Sequence, residues 1–223
     1  VVLDLEWNQS NTGREEEVAT LPFEIIEIGA VKLDEQFQLI DRYQSLIKPQ
    51  IYTSMHRITA ELVNLEMEDL RKARTFETVC EEFLTWCGED AVFCIWGSQD
   101  LTEFQRNMDY YGMSALSKGP LKYYDVQKLF SIVFEDGKLR RTVEHAVDVF
   151  GFEKDLMFHS AVNDARYVAK IFQHLMENKE AMERVSVDYF KPPLNKKEEV
   201  CLRFKTYSKY VYRVFPSREE AME

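Results

Sequence analysis

The sequence lacks the features that mark a membrane-spanning or disulfide-stabilised protein. No apolar run approaches the roughly 18–20 residues of a membrane span, and no basic-then-apolar leader opens the chain. There are only four cysteines, and none of them forms a C-x-x-C pair. Three of them lie within apolar helix or strand patterns. We therefore expect reduced core thiols in a cytoplasmic protein, in preference to disulfides or a zinc site.

Positive charge is also scarce. The 28 Lys and Arg residues face 39 Asp and Glu residues, which gives a formal net charge of −11. Proteins that bind nucleic acid usually present a basic surface, so this balance alone argues against such a partner. It does not exclude one, because divalent cations partly neutralise a site that collects carboxylates. The charge is also uneven, since residues 191–215 are strongly basic.

Hydrophobic periodicity predicts three strands followed by helices that alternate with further strand. The predicted strands are residues 1–7, 23–33, 38–47 and 91–96, the last of them buried on both faces. The predicted helices are residues 59–66, 76–87, 101–111, 124–134, 141–150 and 160–176. This order predicts an α/β domain over residues 1–184, with a mixed sheet flanked by helices.

The pattern changes after residue 184. Pro192-Pro193 interrupts it, and residues 200–215 alternate aromatic with basic side chains. We predict that residues 185–223 form a C-terminal extension that contains strand. Its aromatic side chains either cover apolar surface of the domain or form a platform for nucleic acid.

Two carboxylates occur on the first predicted strand. Asp4 and Glu6 are two residues apart, so their side chains project to the same face. Burial of either charge is costly unless it is compensated, which favours metal coordination or salt bridges. Taken alone, the Asp-x-Glu triplet is common, and a solvated strand end is its more frequent explanation.

Further candidates lie near the starts of two predicted helices. Asp100 falls in the first turn of one, where a carboxylate can simply interact with the helix dipole for about 0.3–1 kcal/mol. Ser160 is a good N-cap residue, so it places His159 just before the last helix and Asp164 near its start. The pair offers a base beside a carboxylate that could hold a metal, although a lone histidine is more often an ordinary surface or core residue.

The order of these residues resembles the DEDDh 3′→5′ exonucleases of the RNase T/DnaQ-like superfamily. That family has Asp-x-Glu on its first strand, an Asp after a later strand, and His-x4-Asp at a late helix. The segments FEIIEIGAV (residues 23–31) and MHRITAEL (residues 55–62) are also similar to family segments. The resemblance covers residues 1–176 and implies an RNase H-like fold. The WGSQD segment and the long insert are similar to the branch that contains the histone-mRNA/small-RNA 3′ exonuclease and the sporulation inhibitor KapD.

The resemblance implies a metal-dependent mechanism. It assigns Asp4, Glu6, Asp100 and Asp164 to two bound ions and makes His159 the base that deprotonates the attacking water. Two divalent ions about 3.5–4 Å apart stabilise the attacking and leaving oxygens of an in-line displacement. Oxygen ligands suit Mg²⁺ or Mn²⁺ better than zinc, and an imidazole suits proton transfer near neutral pH.

The expected substrate is the 3′ end of single-stranded nucleic acid, with nucleoside 5′-monophosphates as products. RNA is favoured over DNA from the branch resemblance alone, because no residue visibly reads a 2′-hydroxyl. The candidate substrate contacts are Leu5, Trp7, His56 and Phe104, although Trp7 is equally well explained by core packing. The cluster Lys138-Leu139-Arg140-Arg141 either contacts phosphates or forms a solvated turn.

Two other functions remain open. The first is a KapD-like regulatory or adaptor protein that keeps the exonuclease fold and acts by binding a partner. The second is an RNase H-type endonuclease, which explains an acidic cluster but does not predict His159 and Asp164 at the last helix.

Overall fold

The computed structural model describes residues 1–11, 18–116, 121–135 and 137–178, together with the backbone of Val211–Val214. The described strands are β1 (Val2–Asn8), β2 (Glu24–Leu33), β3 (Leu39–Leu46), β4 (Phe93–Ile95), β5 (Leu121–Asp125) and β6 (Val211–Val214). The described helices are α1 (Arg57–Leu62), α2 (Met67–Lys72), α3 (Phe76–Cys87), α4 (Gln99–Tyr110), α5 (Val126–Phe134), α6 (Val143–Phe150) and α7 (Ala161–Glu177).

The strands form one mixed sheet in the order β3-β2-β1-β4-β5-β6. β1 pairs antiparallel with β2, and β2 pairs antiparallel with β3. On its other side β1 is parallel to β4, and β4 is parallel to β5. The carboxyl ends of β1, β4 and β5 therefore meet at one edge of the sheet, which is where open α/β sheets place their sites. The predicted α/β fold is confirmed.

Helices cover both faces of this sheet. One apolar core joins Val2 and Val31 to side chains of α5, α6 and α7. A second core joins Leu3 and Leu5 to side chains of α3 and α4. Alternate residues of β1 thus enter opposite cores, as a strand with two buried faces requires. Apolar burial on both faces fixes the register of the central strand.

Most predicted elements are confirmed, with shifts at their ends. The helix predicted at residues 124–134 is wrong at its start, because Tyr124 and Asp125 belong to β5. The Asp125 carboxylate accepts a hydrogen bond from the Lys128 N–H at 2.9 Å and caps α5 directly after the strand. With no loop between strand and helix, hydrophobic periodicity does not locate the junction. The helix predicted at residues 59–66 instead occupies Arg57–Leu62, and α2 follows it as a separate short helix.

The C-terminal extension contributes a strand, as predicted. β6 pairs antiparallel with β5, from Leu121 opposite Val214 to Tyr124 opposite Val211. The aromatic and basic side chains of residues 191–215 lie outside the described residues. Cys80, Cys87 and Cys94 are buried free thiols, whereas Cys201 lies outside the described part. None of the described helices has the length and apolar character that crossing a membrane requires.

Candidate active site

The carboxylates of Asp4 and Glu6 lie on the face of β1 that α7 covers. Val2, two residues before Asp4, packs with α7, whereas Leu3 and Leu5 pack in the opposite core. β1 is an interior strand with a neighbour on each side. Both carboxylates are consequently half-buried at the centre of the sheet.

A glycine allows α7 to approach the same part of the sheet. Gly29 on β2 is the register partner of Asp4. A Cβ at Gly29 would lie 2.0 Å from the Val162 nitrogen and 2.1 Å from the Ala161 carbonyl carbon. Only glycine permits this contact between strand and helix backbone. The first turn of α7, which carries Asp164, is therefore placed beside Asp4.

A buried glutamate fixes the start of α7. Glu27 is the register partner of Glu6 and is 2% exposed. One of its carboxylate oxygens accepts the Ala161 N–H at 3.2 Å, and the other accepts Gln44 Nε2 at 2.7 Å. Glu27 is not predicted from the sequence because its opposition to Glu6 depends on strand register. The available signal was an acidic residue within the apolar run of residues 25–31.

His159 and Asp164 are joined through the backbone. The His159 N–H donates to Asp164 Oδ2 at 3.0 Å, and the His159 backbone adopts a φ of +61°. Ser160 is the N-cap residue as predicted, but its side chain makes no capping hydrogen bond. The Asp164 carboxylate instead holds the residue that precedes the cap. As a result the exposed imidazole projects at the start of α7.

Three of the candidate residues are close enough to hold one cation. Ligand atoms of Glu6, His159 and Asp164 all lie within 4.8 Å of one another. Asp164 Oδ1 is buried and has no hydrogen-bond partner among the described residues. A buried oxygen without a partner is costly, and a divalent cation would satisfy it. The carboxylate-rich donor set therefore fits Mg²⁺ or Mn²⁺.

Burial and mutual repulsion raise the pKa values of the cluster on β1 and α7. Burial raises the pKa of Glu6 to about 8, and the charges of Asp164 and Glu27 add to the effect. Burial also raises the pKa of Asp164 to about 6, against the opposing hydrogen bond from the His159 N–H. The pKa of Asp4 is raised well above its usual value by burial, then by Asp100 and Asp164. This concentration of negative charge favours cation binding.

Asp100 reaches the cluster from the neighbouring parallel strand. It lies in the first turn of α4, which starts shortly after β4 ends. Burial raises the pKa of Asp100, although backbone hydrogen bonds, including one from Leu5, partly oppose the shift. Asp125, at the end of β5, adds a further buried carboxylate that repels Asp100. Asp125 is not predicted as a site residue because the sequence pattern places it at the start of the helix predicted at residues 124–134.

The four predicted substrate contacts lie in different environments. Phe104 is 0% exposed and packs between Phe76 and Phe83, with ring centroids 6.1 and 5.7 Å away. Leu5 is 4% exposed within the same core. Both side chains have almost no accessible surface, and a substrate contact by Leu5 or Phe104 stays a prediction. The helical periodicity of α4 places Phe104 among the core residues.

The other two predicted contacts remain at the end of β1. Trp7 is half-buried beside Phe23, with ring centroids 5.5 Å apart. The ring nitrogen Nδ1 of His56 accepts the Ile58 N–H at 3.2 Å and so caps α1. Asn8 ties this segment to β1, since its Oδ1 accepts the His56 N–H at 2.9 Å. Both residues thus lie at the carboxyl end of β1, the strand that carries Asp4 and Glu6.

Comparisons with known proteins agree with this architecture. The exonuclease family model named RNase T matches residues 1–172. A solved 3′-exonuclease, described as recognising the 3′ end of a histone mRNA stem-loop, superposes with a TM-score of 0.70 at 16% identity, over 93% of each chain. No curated protein matches the chain.

Two further solved structures share the fold. The nuclease domain of 3′hExo, a DEDDh family member bound to rAMP, has a TM-score of 0.66 at 19% identity, over 79% of this chain and 90% of that one. Pop2p of S. pombe, with Mg²⁺ and Mn²⁺ bound, has a TM-score of 0.58 at 14% identity, over 81% of this chain and 84% of that one.

Proposed function

The chain belongs to the RNase T exonuclease family, as its DEDDh-like residues predict, and from this premise we propose that this nuclease degrades single-stranded nucleic acid from the 3′ end. RNA is the preferred substrate, and nucleoside 5′-monophosphates are the products. The observation that carries the proposal is the convergence of Glu6, His159 and Asp164, whose ligand atoms lie within 4.8 Å of one another. Asp4 and Asp100 adjoin this group.

The carboxylates of Asp4, Glu6, Asp100 and Asp164 would hold two Mg²⁺ or Mn²⁺ ions. Such ions supply charge neutralisation for the phosphodiester and for its leaving oxygen. The orphaned Asp164 Oδ1 and the raised pKa values of the four carboxyl groups support this assignment.

His159 acts as the general base. Its exposed imidazole takes a proton from water while the water oxygen bonds to phosphorus. The bond from phosphorus to O3′ breaks, and the leaving O3′ takes a proton from solvent. The products are a nucleoside 5′-monophosphate and a strand shortened by one nucleotide that ends in a 3′-hydroxyl. The hydrogen bond from the His159 N–H to Asp164 supports this role, because it joins the base to the cation site.

The RNA preference is supported by the branch resemblance in the WGSQD segment. One structurally similar protein is described as recognising histone mRNA. A single-stranded end is favoured over a duplex because the site must accept a free 3′ terminus.

Matched RNA and DNA oligonucleotides labelled at the 5′ end test the proposal. With Mg²⁺ or Mn²⁺ we expect a ladder that shortens from the 3′ end, faster on RNA, with mononucleotide products. Asp4→Asn and Asp164→Asn should abolish turnover, because each removes a charge without changing side-chain shape. Glu153→Gln is the matched control, since Glu153 is an exposed acid outside the cluster.

Each contrary outcome has a defined meaning. Internal cuts would favour an endonuclease, and a folded protein that cleaves neither substrate with either metal would favour an adaptor. Full activity in Asp164→Asn would remove that residue from the proposed site. Equal rates on RNA and DNA would overturn the preference for RNA while leaving the exonuclease proposal standing.

A further inference from the structure

We infer that Arg140 binds a backbone phosphate of the substrate strand, on the 5′ side of the phosphodiester that is cut. The inference rests on the proposed function and adds a substrate contact to the same site. Arg140 belongs to the basic cluster of residues 138–141, which precedes α6 and to which the mechanism above gives no role.

Hydrogen bonds fix this cluster at the edge of the sheet where the acids lie. The Arg141 carbonyl oxygen accepts Trp96 Nε1 and Gln127 Nε2, both at 2.8 Å. Trp96 directly follows β4 and leads through Gly97 to Asp100, whereas Gln127 lies in the first turn of α5. The cluster is thus held against the segment that positions a carboxylate of the site.

The guanidinium of Arg140 lies over that segment and remains accessible. Its Nη1 donates to Gln127 Oε1 at 2.9 Å and lies 3.8 Å from the position that a Cβ on Gly97 would occupy. The side chain is 57% exposed, and Asp125 Oδ2 is 3.9 Å away. A guanidinium carries five N–H donors, and the bond to Gln127 uses one of them.

Arg140 is farther from its acidic partner, Asp125, than several other arginines of the described chain are from theirs. Arg57 pairs with Glu61 at 3.3 Å, and Arg141 pairs with Glu135 at 3.2 Å. The nearest acid to Arg140 is Asp125, which is itself buried and already caps α5. Asp125 and Gln127 therefore orient the guanidinium and leave its outer donors directed to solvent.

This arrangement matches the chemistry of a phosphodiester backbone. A planar guanidinium binds phosphate oxygens through two parallel hydrogen bonds. Such contacts position a strand without reading its sequence. They also offset the repulsion that a carboxylate cluster exerts on an incoming polyanion. An arginine at the rim thus helps a chain with a net charge of −11 to retain nucleic acid.

The test compares Arg140→Gln and Arg140→Lys with the wild type on a single-stranded 12-mer and on a dinucleotide. On the 12-mer we expect Arg140→Gln to raise KM about tenfold with little change in kcat, because the contact is equally strong in the ground and transition states. The slope of log(kcat/KM) against log salt should fall by about 0.7. Arg140→Lys should retain the slope with weaker binding, since lysine keeps the charge without the planar fork. Because a dinucleotide has only the cleaved phosphate, Arg140→Gln should lower kcat/KM on the dinucleotide much less than on the 12-mer.

Arg71→Gln is the control, because Arg71 is an exposed arginine on α2 that pairs with Glu68 at 3.5 Å. It should match the wild type in KM and in salt dependence. An equal decrease in kcat/KM for Arg140→Gln on the 12-mer and on the dinucleotide would overturn the inference and indicate that Arg140 supports the Gly97 segment. The inference would also be overturned if Arg140→Gln kept the wild-type KM and the wild-type salt slope. A wild-type protein that cleaves no substrate would instead overturn the proposed function.

Discussion

His159 combines an exposed imidazole with a backbone φ of +61°. The left-handed region costs residues with a Cβ about 1–2 kcal/mol, and glycine avoids that cost. We expect His159→Gly to have an unfolding free energy about 1 kcal/mol higher than that of His159→Ala. Both variants should lose turnover about 10²–10⁴-fold, which is the usual contribution of a general base. Denaturant unfolding and single-turnover rates measure the two effects.

The two variants separate backbone strain from chemistry. Equal unfolding free energies would mean that the His159 conformation carries no cost in the folded protein. Turnover near the wild-type level in either variant would exclude His159 as the base. Both variants should still gain thermal stability from Mg²⁺, because the carboxylates of Glu6 and Asp164 remain.

The sequence predicts the residues of the site that depend on local pattern. Asp4 and Glu6 share a face because strand side chains alternate, whereas Asp100 is assigned to the site through the family resemblance. Glu27 and Asp125 were missed because their roles depend on which strands become neighbours. The position of Phe104 along α4 places its ring in the core, which its residue type alone does not predict.

At the scale of elements, the contact between Gly29 and the first turn of α7 sets the position of Asp164 relative to β1. Gly29→Ala places a methyl group 2.0 Å from the Val162 nitrogen, which forces α7 away from the sheet. We expect a loss of about 1–3 kcal/mol in unfolding free energy from overpacking. Turnover should fall at least tenfold, since α7 carries Asp164. Thermal unfolding and Mg²⁺ titrations of activity measure these changes.

Gly88→Ala is the matched control for this prediction. Gly88 ends α3 with a φ of +84°, and a Cβ there would meet nothing within 4 Å. It should cost about 1–3 kcal/mol through backbone strain alone, with turnover unchanged. If Gly29→Ala kept wild-type turnover and Mg²⁺ dependence, close packing of α7 would not be required for the site.

Long helices with clear terminating residues are predicted from the sequence more accurately than short ones. The predicted bounds of α3 match the observed ones because its apolar spacing is clear and Gly88 ends the helix. α2 was missed because six residues are too few to establish a period. β5 was missed because it passes into α5 at Asp125 without a turn. Neither failure changes the predicted fold class, because β-branched and apolar runs define the other strands of the mixed sheet.

For the whole molecule, the raised pKa values of the carboxylates predict how stability depends on pH. Glu6 has an ordinary pKa of 4.5 in the unfolded chain and about 8 in the folded, metal-free protein. Between these values the folded state binds more protons than the unfolded state. The unfolding free energy of the metal-free protein should therefore fall as pH rises through this window. Asp4, Asp100 and Asp164 shift in the same direction and add to this fall.

Thermal unfolding in EDTA and in Mg²⁺ measures this dependence. Mg²⁺ should raise Tm more at about pH 8 than at about pH 5, because cations bind the charged carboxylates. Glu6→Gln should flatten the decline in EDTA, whereas Glu153→Gln should leave it unchanged. A Tm that rises with pH in EDTA over this range would contradict the pKa shifts.

The pairing of β6 with β5 determines which strand forms this edge of the sheet. β5 would otherwise present a row of free amide and carbonyl groups, which is a template for a strand of another molecule. A polypeptide cut after Asn178 would keep every proposed ligand of the cations and yet bare that row. At the opposite edge of the sheet, β3 carries the exposed charges of Asp41 and Arg42. Such charges disfavour pairing with a strand of another molecule. The proposed cation ligands and the strand that covers the edge of β5 thus lie in separate parts of one polypeptide.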